Sequence, residues 1–242
     1  MSAAAEFKSP LFVRDVIVIV GGFGSGKSEV SINLARHLMT TDSRPVALGD
    51  LDIVNPYFRS REAAVALAAL GIKSLVPPGA FAMADLPIII PEIKSAILRP
   101  EGWLILDVGG DDVGANVLSS LSDAFRPEGY ELLFTLNAYR PFTTDIKGTL
   151  KIMSEIERAG SLKFTGLISN SHLIEETTAV EVLHGVDLAR QVSEQTGLPV
   201  CFVSAVESVL AQIKARQMPY PVLPINRSLL KPWERSSPAG TS

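Results

Sequence analysis

The stretch Gly21-Gly22-Phe23-Gly24-Ser25-Gly26-Lys27-Ser28 decides how this chain is read. It fits the pattern G-x-x-x-x-G-K-[ST]. An apolar run, Val16-Ile17-Val18-Ile19-Val20, precedes it, and Val30, Leu34 and Leu38 recur on one helical face after it. Strand before and helix after is the context that gives the pattern its meaning. Glycines let the backbone wind until successive N–H groups converge on a phosphate chain, and the helix adds its positive end. Gly22, Phe23, Gly24, Ser25 and Gly26 are therefore expected to cradle a nucleoside triphosphate, with Glu29 beside them in the first helical turn. Lys27 reaches the outer phosphates and Ser28 offers a hydroxyl to Mg²⁺.

Composition permits a large core. The chain has 242 residues, 47% of them hydrophobic and 20% charged. A domain of this length buries roughly 70–75% of its unfolded surface. The formal net charge of −4 opposes broad binding to nucleic acid or anionic lipid. The single cysteine, Cys201, has no partner for an internal disulfide, so a reducing, cytoplasmic setting is expected. Met1–Pro10 lacks the charged start and apolar centre of a signal peptide. His37, His172 and His184 lack the spacing of a metal site, and His172 reads as a surface loop residue.

Strand-like runs alternate with helical patterns along most of the chain. Strands are expected at Val16–Val20, Val46–Gly49, Lys73–Val76, Trp103–Leu106, Leu132–Leu136, Thr165–Ser169 and Val200–Val203. Helices are expected near Lys27–Met39, Ser60–Leu70, Pro91–Leu98, Val113–Phe125, Thr144–Ala159, Ala179–Thr196 and Val206–Ala215. The sequence Thr178-Ala179-Val180-Glu181 is a capping box for the sixth helix, and Gly197-Leu198-Pro199 ends it. Such alternation means an α/β fold: a mostly parallel sheet of about seven strands with helices on both faces. One P-loop domain over 11–235 suffices, flanked by flexible ends at 1–10 and 236–242. The proline-rich stretches Pro77–Pro91 and Met218–Trp233 fit no regular element; the first reads as an irregular loop.

Ligands of a parallel sheet bind beyond the carboxyl ends of its strands. Two acidic clusters stand there. In Gly49-Asp50-Leu51-Asp52, an extended backbone would aim Asp50 and Asp52 the same way. In Leu104-Ile105-Leu106-Asp107-Val108-Gly109-Gly110-Asp111-Asp112, an apolar strand ends in Asp107, as in a Walker B motif. Its carboxylate would hold Mg²⁺, with Ser28, Asp50 and Asp52 as further candidate ligands. Of Asp50 and Asp52, one could tie the loop together while the other orients the attacking water. Asp111 reads equally well as a helix cap.

The P-loop, the D-x-D loop and the segment Asp107–Gly110 together resemble the MinD/ParA and CobQ/CobB group of P-loop NTPases, within the SIMIBI class. The resemblance covers nearly the full chain. It implies that Asp52 helps position the hydrolytic water, making Lys27, Asp52 and Asp107 the catalytic set. It implies that Gly110 senses the γ-phosphate and that the protein forms a homodimer on binding ATP. The sequence departs from the partition-type members at Gly22, which stands where their signature lysine would be. Arg59, Arg61 and Arg140 are either substitutes for that lysine or ordinary solvated charges.

In Asn170-Ser171-His172-Leu173, leucine stands where a guanine-reading acid would be. Asn170 can still bond an adenine edge, because an amide both donates and accepts. ATP with Mg²⁺ is the expected pair. Three functions share such a site. The first is a switch ATPase acting on a partner protein or cofactor assembly. The second is an ATP-dependent ligase or phosphotransferase of the dethiobiotin-synthetase or CobQ/CobB kind. The third, a DNA- or membrane-positioning ATPase, is opposed by the net acidity.

Overall fold

The computed structural model describes residues 12–52, 61–75, 86–110, 112–214 and 217–227, with side chains for all of these except 61–64, 86–90 and 112. In chain order the elements are β1 (Val16–Gly21), α1 (Lys27–Thr41), β2 (Val46–Leu51), α2 (Arg61–Ala69), β3 (Lys73–Leu75), α3 (Leu86–Leu98), β4 (Trp103–Gly109) and α4 (Asp112–Leu121). Then follow β5 (Tyr130–Leu136), α5 (Ile146–Gly160), β6 (Gly166–Ser169), α6 (Ala179–Thr196), β7 (Val200–Val206), α7 (Glu207–Leu210) and β8 (Val222–Ile225). The eight strands form one sheet in the order β3-β2-β4-β1-β5-β6-β7-β8, and every pair is parallel.

Alternation along β1 explains the two-sided core. Val16, Val18 and Val20 face a cluster with Leu118 and Leu121 of α4, Met153 and Ile156 of α5, and Ala189 and Val192 of α6. Ile17 and Ile19 face the other way, onto Val30, Leu34 and Leu38 of α1. All five β1 valines and isoleucines are essentially inaccessible. A central parallel strand is covered on both faces, so its sequence is continuously apolar rather than alternating. The expected fold class therefore holds, with eight strands instead of seven.

The additional strand lies in the proline-rich stretch that resisted assignment. Pro224 is tolerated there because β8 is an edge strand, where a missing N–H removes no central ladder bond. Strands β1, β2, β4, β5 and β7 extend further than the apolar runs. Asp50 falls inside β2 and Asp107 inside β4, because both polar ends still pair with neighbours. The seventh helix stops at Leu210 rather than running on to Ala215. The third begins at Leu86 and carries Pro91 inside it, so the last part of the expected irregular loop is helical. The rest of that loop, 77–85, lies outside the described residues, as do Arg59 and Asp111, both termini and 228–233. The capping box at Thr178 forms as expected, with the Thr178 side chain accepting from Val180 N–H and Glu181 accepting from Thr178 N–H at 2.7 Å.

Candidate functional site

Register brings the two acidic clusters together. Asp50 and Asp107 are directly paired residues of neighbouring strands, as are Ile19 and Asp107. Asp107 shares the parity of Ile105, whose side chain packs on the α1 side, and Asp50 that of Leu48. Both carboxylates thus emerge beneath the N-terminus of α1. There Gly24 and Gly26 hold positive φ values of 73° and 83°. A β-carbon at Gly26 would collide with the Asn170 amide, and one at Gly110 with the Gly21 carbonyl. The loop after β4 therefore lies hard against the start of the P-loop. At Gly22 an added β-carbon would meet nothing within 4 Å.

Lys27 is 7% exposed and its Nζ lies 2.8 Å from Asp52 Oδ2, itself in a residue 3% exposed. The Asp52 N–H donates to Asp50 Oδ1 at 3.1 Å, which ties the D-x-D turn to itself. Asp107 is buried, and neither of its carboxylate oxygens has a hydrogen-bond partner among the described residues. Burial pushes its pKa up to about 6, against the opposing pull of the Lys27 charge and the Ser28 and Ser31 hydroxyls. A buried, unbonded carboxylate beside the first turn of α1 fits Mg²⁺, which takes few protein oxygens and keeps waters and phosphates as its other ligands. Ser28 and Asp107 would hold it. Among the described residues no group of three or more acid, histidine or cysteine side chains is gathered as a ready chelate. Asp52 is engaged by Lys27 instead.

Three buried asparagine amides staple the loops around this centre. Asn170, following β6, donates to Ser25 O at 2.7 Å and accepts from Ser204 Oγ at 2.9 Å. Asn137, following β5, donates to His172 O at 3.2 Å and accepts from His172 N–H at 3.3 Å. Asn33 in α1 accepts from Asn226 N–H at 2.9 Å and donates to Asn226 O at 3.2 Å. Arg140 adds a fourth tie, Nε to Gly24 O at 2.7 Å. It is thus a latch on the P-loop rather than a solvated charge. Asn33 and Asn137 escaped the sequence reading; the available signal for Asn137 was an asparagine directly after an apolar strand.

These loops enclose a cavity of about 350 Å³. Phe23, Gly24, Gly26, Lys27, Ser28 and Glu29 line one part of it together with Asp52 and Arg140. Asn170, Ser171 and His172 after β6, Ala205 and Val206 of β7, and Ile225 and Arg227 at β8 line another. His172 is a cavity residue, not a surface one. Burial and the nearby Arg140 and Arg227 charges lower its pKa to about 4, so it is neutral at pH 7. Cys201 lies apart from the cavity lining, and burial pushes its thiol up to about 12. Among the described residues no helix is long and apolar enough to cross a membrane.

No protein-family model matches the sequence, and no curated protein does. Solved structures do match. Chloroplast FtsY from Physcomitrella patens aligns over 89% of this chain and 67% of its own, at 17% identity and a TM-score of 0.56. The signal recognition particle receptor FtsY from Elizabethkingia anophelis aligns over 85% and 60%, at 19% identity and 0.51, and a further structure of it, in complex with GDP, also matches. FtsY from Thermotoga maritima aligns over 89% and 67%, at 16% identity and 0.51. The chain thus spans about two thirds of the length of these neighbours or somewhat less. At such identities the likeness carries the architecture alone: this chain has the parallel α/β fold of these FtsY structures.

Proposed function

We propose that this chain is a Mg²⁺-dependent ATP-binding and ATP-hydrolysing switch protein of the MinD/ParA and CobQ/CobB kind, with residues 11–235 as one NTPase unit. The observation that carries the reading is the convergence on one cavity of Lys27, Ser28, the glycine-rich loop and Asp52, with the unbonded Asp107 carboxylate beneath. Backbone N–H groups of Gly24 to Ser28 would hold the phosphates, and Lys27 would neutralise the outer ones. Ser28 and Asp107 would hold Mg²⁺, which would supply positive charge to offset that developing on the phosphates. Asp52, freed when Lys27 turns to phosphate, would orient the attacking water, and Gly110 would register the terminal phosphate through its approach to Gly21. Ordering two such loops by one ligand is how a nucleotide switch works. A cytoplasmic setting, a nucleotide-gated homodimer and a protein or cofactor-assembly client belong to the same proposal.

Adenine is favoured because, among the described residues, those lining the cavity after β6, β7 and β8 include no carboxylate to accept from guanine N–H groups, and the adjacent Glu175 is paired with Arg227. The GDP complex of one FtsY neighbour makes GTP the competing reading. Calorimetric titration of Mg²⁺-ATP and Mg²⁺-GTP into the wild type and into Lys27→Ala decides between them. Tighter binding of ATP, lost in the variant, is expected. Tighter GTP binding would reverse the base assignment, and binding of neither would overturn the nucleotide reading.

A further inference from the structure

We propose that Arg227 is a nucleobase contact, its guanidinium plane lying against the ring of a purine bound in the cavity. Glu175 and Asn33 act as its positioning residues. This rests on the nucleotide reading above and adds a residue to it.

The base end of the cavity presents Ile174, Ala205, Val206 and Ile225, an apolar lining suited to a flat ring with weakly hydrated faces. Arg227, on the segment that follows β8, lines the same cavity and brings a cation to it. Its place is set from two directions. The preceding residue, Asn226, has both backbone groups bonded to the buried Asn33 amide, so the segment is fixed to α1. The guanidinium is drawn towards the opposite loop by Glu175, with Nη1 lying 3.1 Å from Oε1. Glu175 in turn follows Ile174, which holds a φ of 60°. Positive φ is costly for a β-branched residue and persists only where the surroundings enforce it.

A solvated ion pair alone would need none of this, and would be worth little. A planar cation held at the rim of an apolar slot has a use: it stacks on a π-face. That contact suits arginine better than lysine, whose ammonium has no plane. The Arg227 charge also reaches His172 on the facing loop, helping to keep that imidazole neutral. A neutral His172 ring adds no charge of its own to the slot, which leaves it open to an uncharged base.

Affinity for inorganic tripolyphosphate separates base from phosphate binding. Both it and the tighter-binding of ATP and GTP are titrated, with Mg²⁺, into the wild type, Arg227→Ala, Arg227→Lys and Glu175→Gln. Arg227→Ala is expected to weaken nucleotide binding about 10-fold, within the range of a stacked cation, and to leave tripolyphosphate unchanged. Arg227→Lys should recover little of the loss, and Glu175→Gln should weaken the nucleotide about 2–3-fold. Unchanged nucleotide affinity in Arg227→Ala would overturn the proposal. So would equal weakening of both ligands, or full recovery by lysine. A wild type that binds tripolyphosphate as tightly as nucleotide would remove the base subsite and spare the phosphate site. One that binds neither would take the nucleotide reading down with this one.

Discussion

Lys27 and Asp52 form a buried ion pair, Nζ to Oδ2 at 2.8 Å, that joins the P-loop to the turn after β2. The cation proposed to meet phosphate is thus paired with the carboxylate proposed to orient water. Removing one partner of a buried pair strands the other charge, at a cost of about 3–5 kcal/mol. Lys27→Ala should therefore lose stability as well as triphosphate binding, while Lys27→Ala/Asp52→Ala should regain most of the stability and none of the binding. Urea titrations of the two single variants and the double variant measure the coupling. Additive losses would show that the pair contributes nothing. Asp52→Ala alone is expected to retain Mg²⁺-ATP and hydrolyse it more slowly.

The two unbonded oxygens of Asp107 make a second outcome measurable. A buried carboxylate that no hydrogen bond reaches is a cost that the fold carries, only partly offset by the nearby Lys27 charge. Asp107→Asn keeps the shape and removes the charge. Without Mg²⁺ or nucleotide, it should melt higher than the wild type at pH 7.5, by the equivalent of about 1–3 kcal/mol. Its Mg²⁺-dependent hydrolysis should fall at least about 100-fold if Asp107 holds the ion. A less stable variant with normal turnover would contradict both parts.

His172 supplies a pH dependence. Its folded-state pKa is lowered to about 4 from an ordinary 6.5. The unfolded chain therefore takes up this proton first as pH falls, and stability declines between pH 6.5 and 4 by up to about 3 kcal/mol. Below pH 4 this contribution is constant. Comparing the denaturation free energy of the wild type and His172→Gln across that window isolates it from the carboxylates. Parallel curves would mean that His172 protonates freely in the folded protein.

Gly26 and Asn170 test the stapling of the loop. With φ at 83° and the Asn170 amide against it, Gly26 admits no side chain. Gly26→Ala should destabilise the fold by about 1–3 kcal/mol and disrupt phosphate binding. Asn170→Ala leaves Ser25 O without its donor and should cost about 1–3 kcal/mol, with nucleotide affinity falling in step. Melting and calorimetry on both variants suffice. Wild-type affinity in Asn170→Ala would reduce that amide to packing.

Much of this site is legible in the sequence because its signals are local. The phosphate loop announces itself by glycines between an apolar run and a helical period. Alternating strand and helix patterns give the parallel sheet, whereas Asp52 lies just past the end of β2, where a period of two no longer fixes its direction. Strand ends were less legible, since Asp50 and Asp107 continue their ladders despite being polar. Strand β8 was hidden because Pro224 breaks the pattern that marks central strands, yet is harmless at an edge. Tertiary structure alone decided the partners. Arg140 and Gly24 are 116 residues apart, Asn170 and Ser25 are 145 apart, and Asn33 and Asn226 are 193 apart. No periodicity encodes such meetings. They follow from strand order, which places the loops after β5, β6, β7 and β8 around one cavity, where buried amides must find partners.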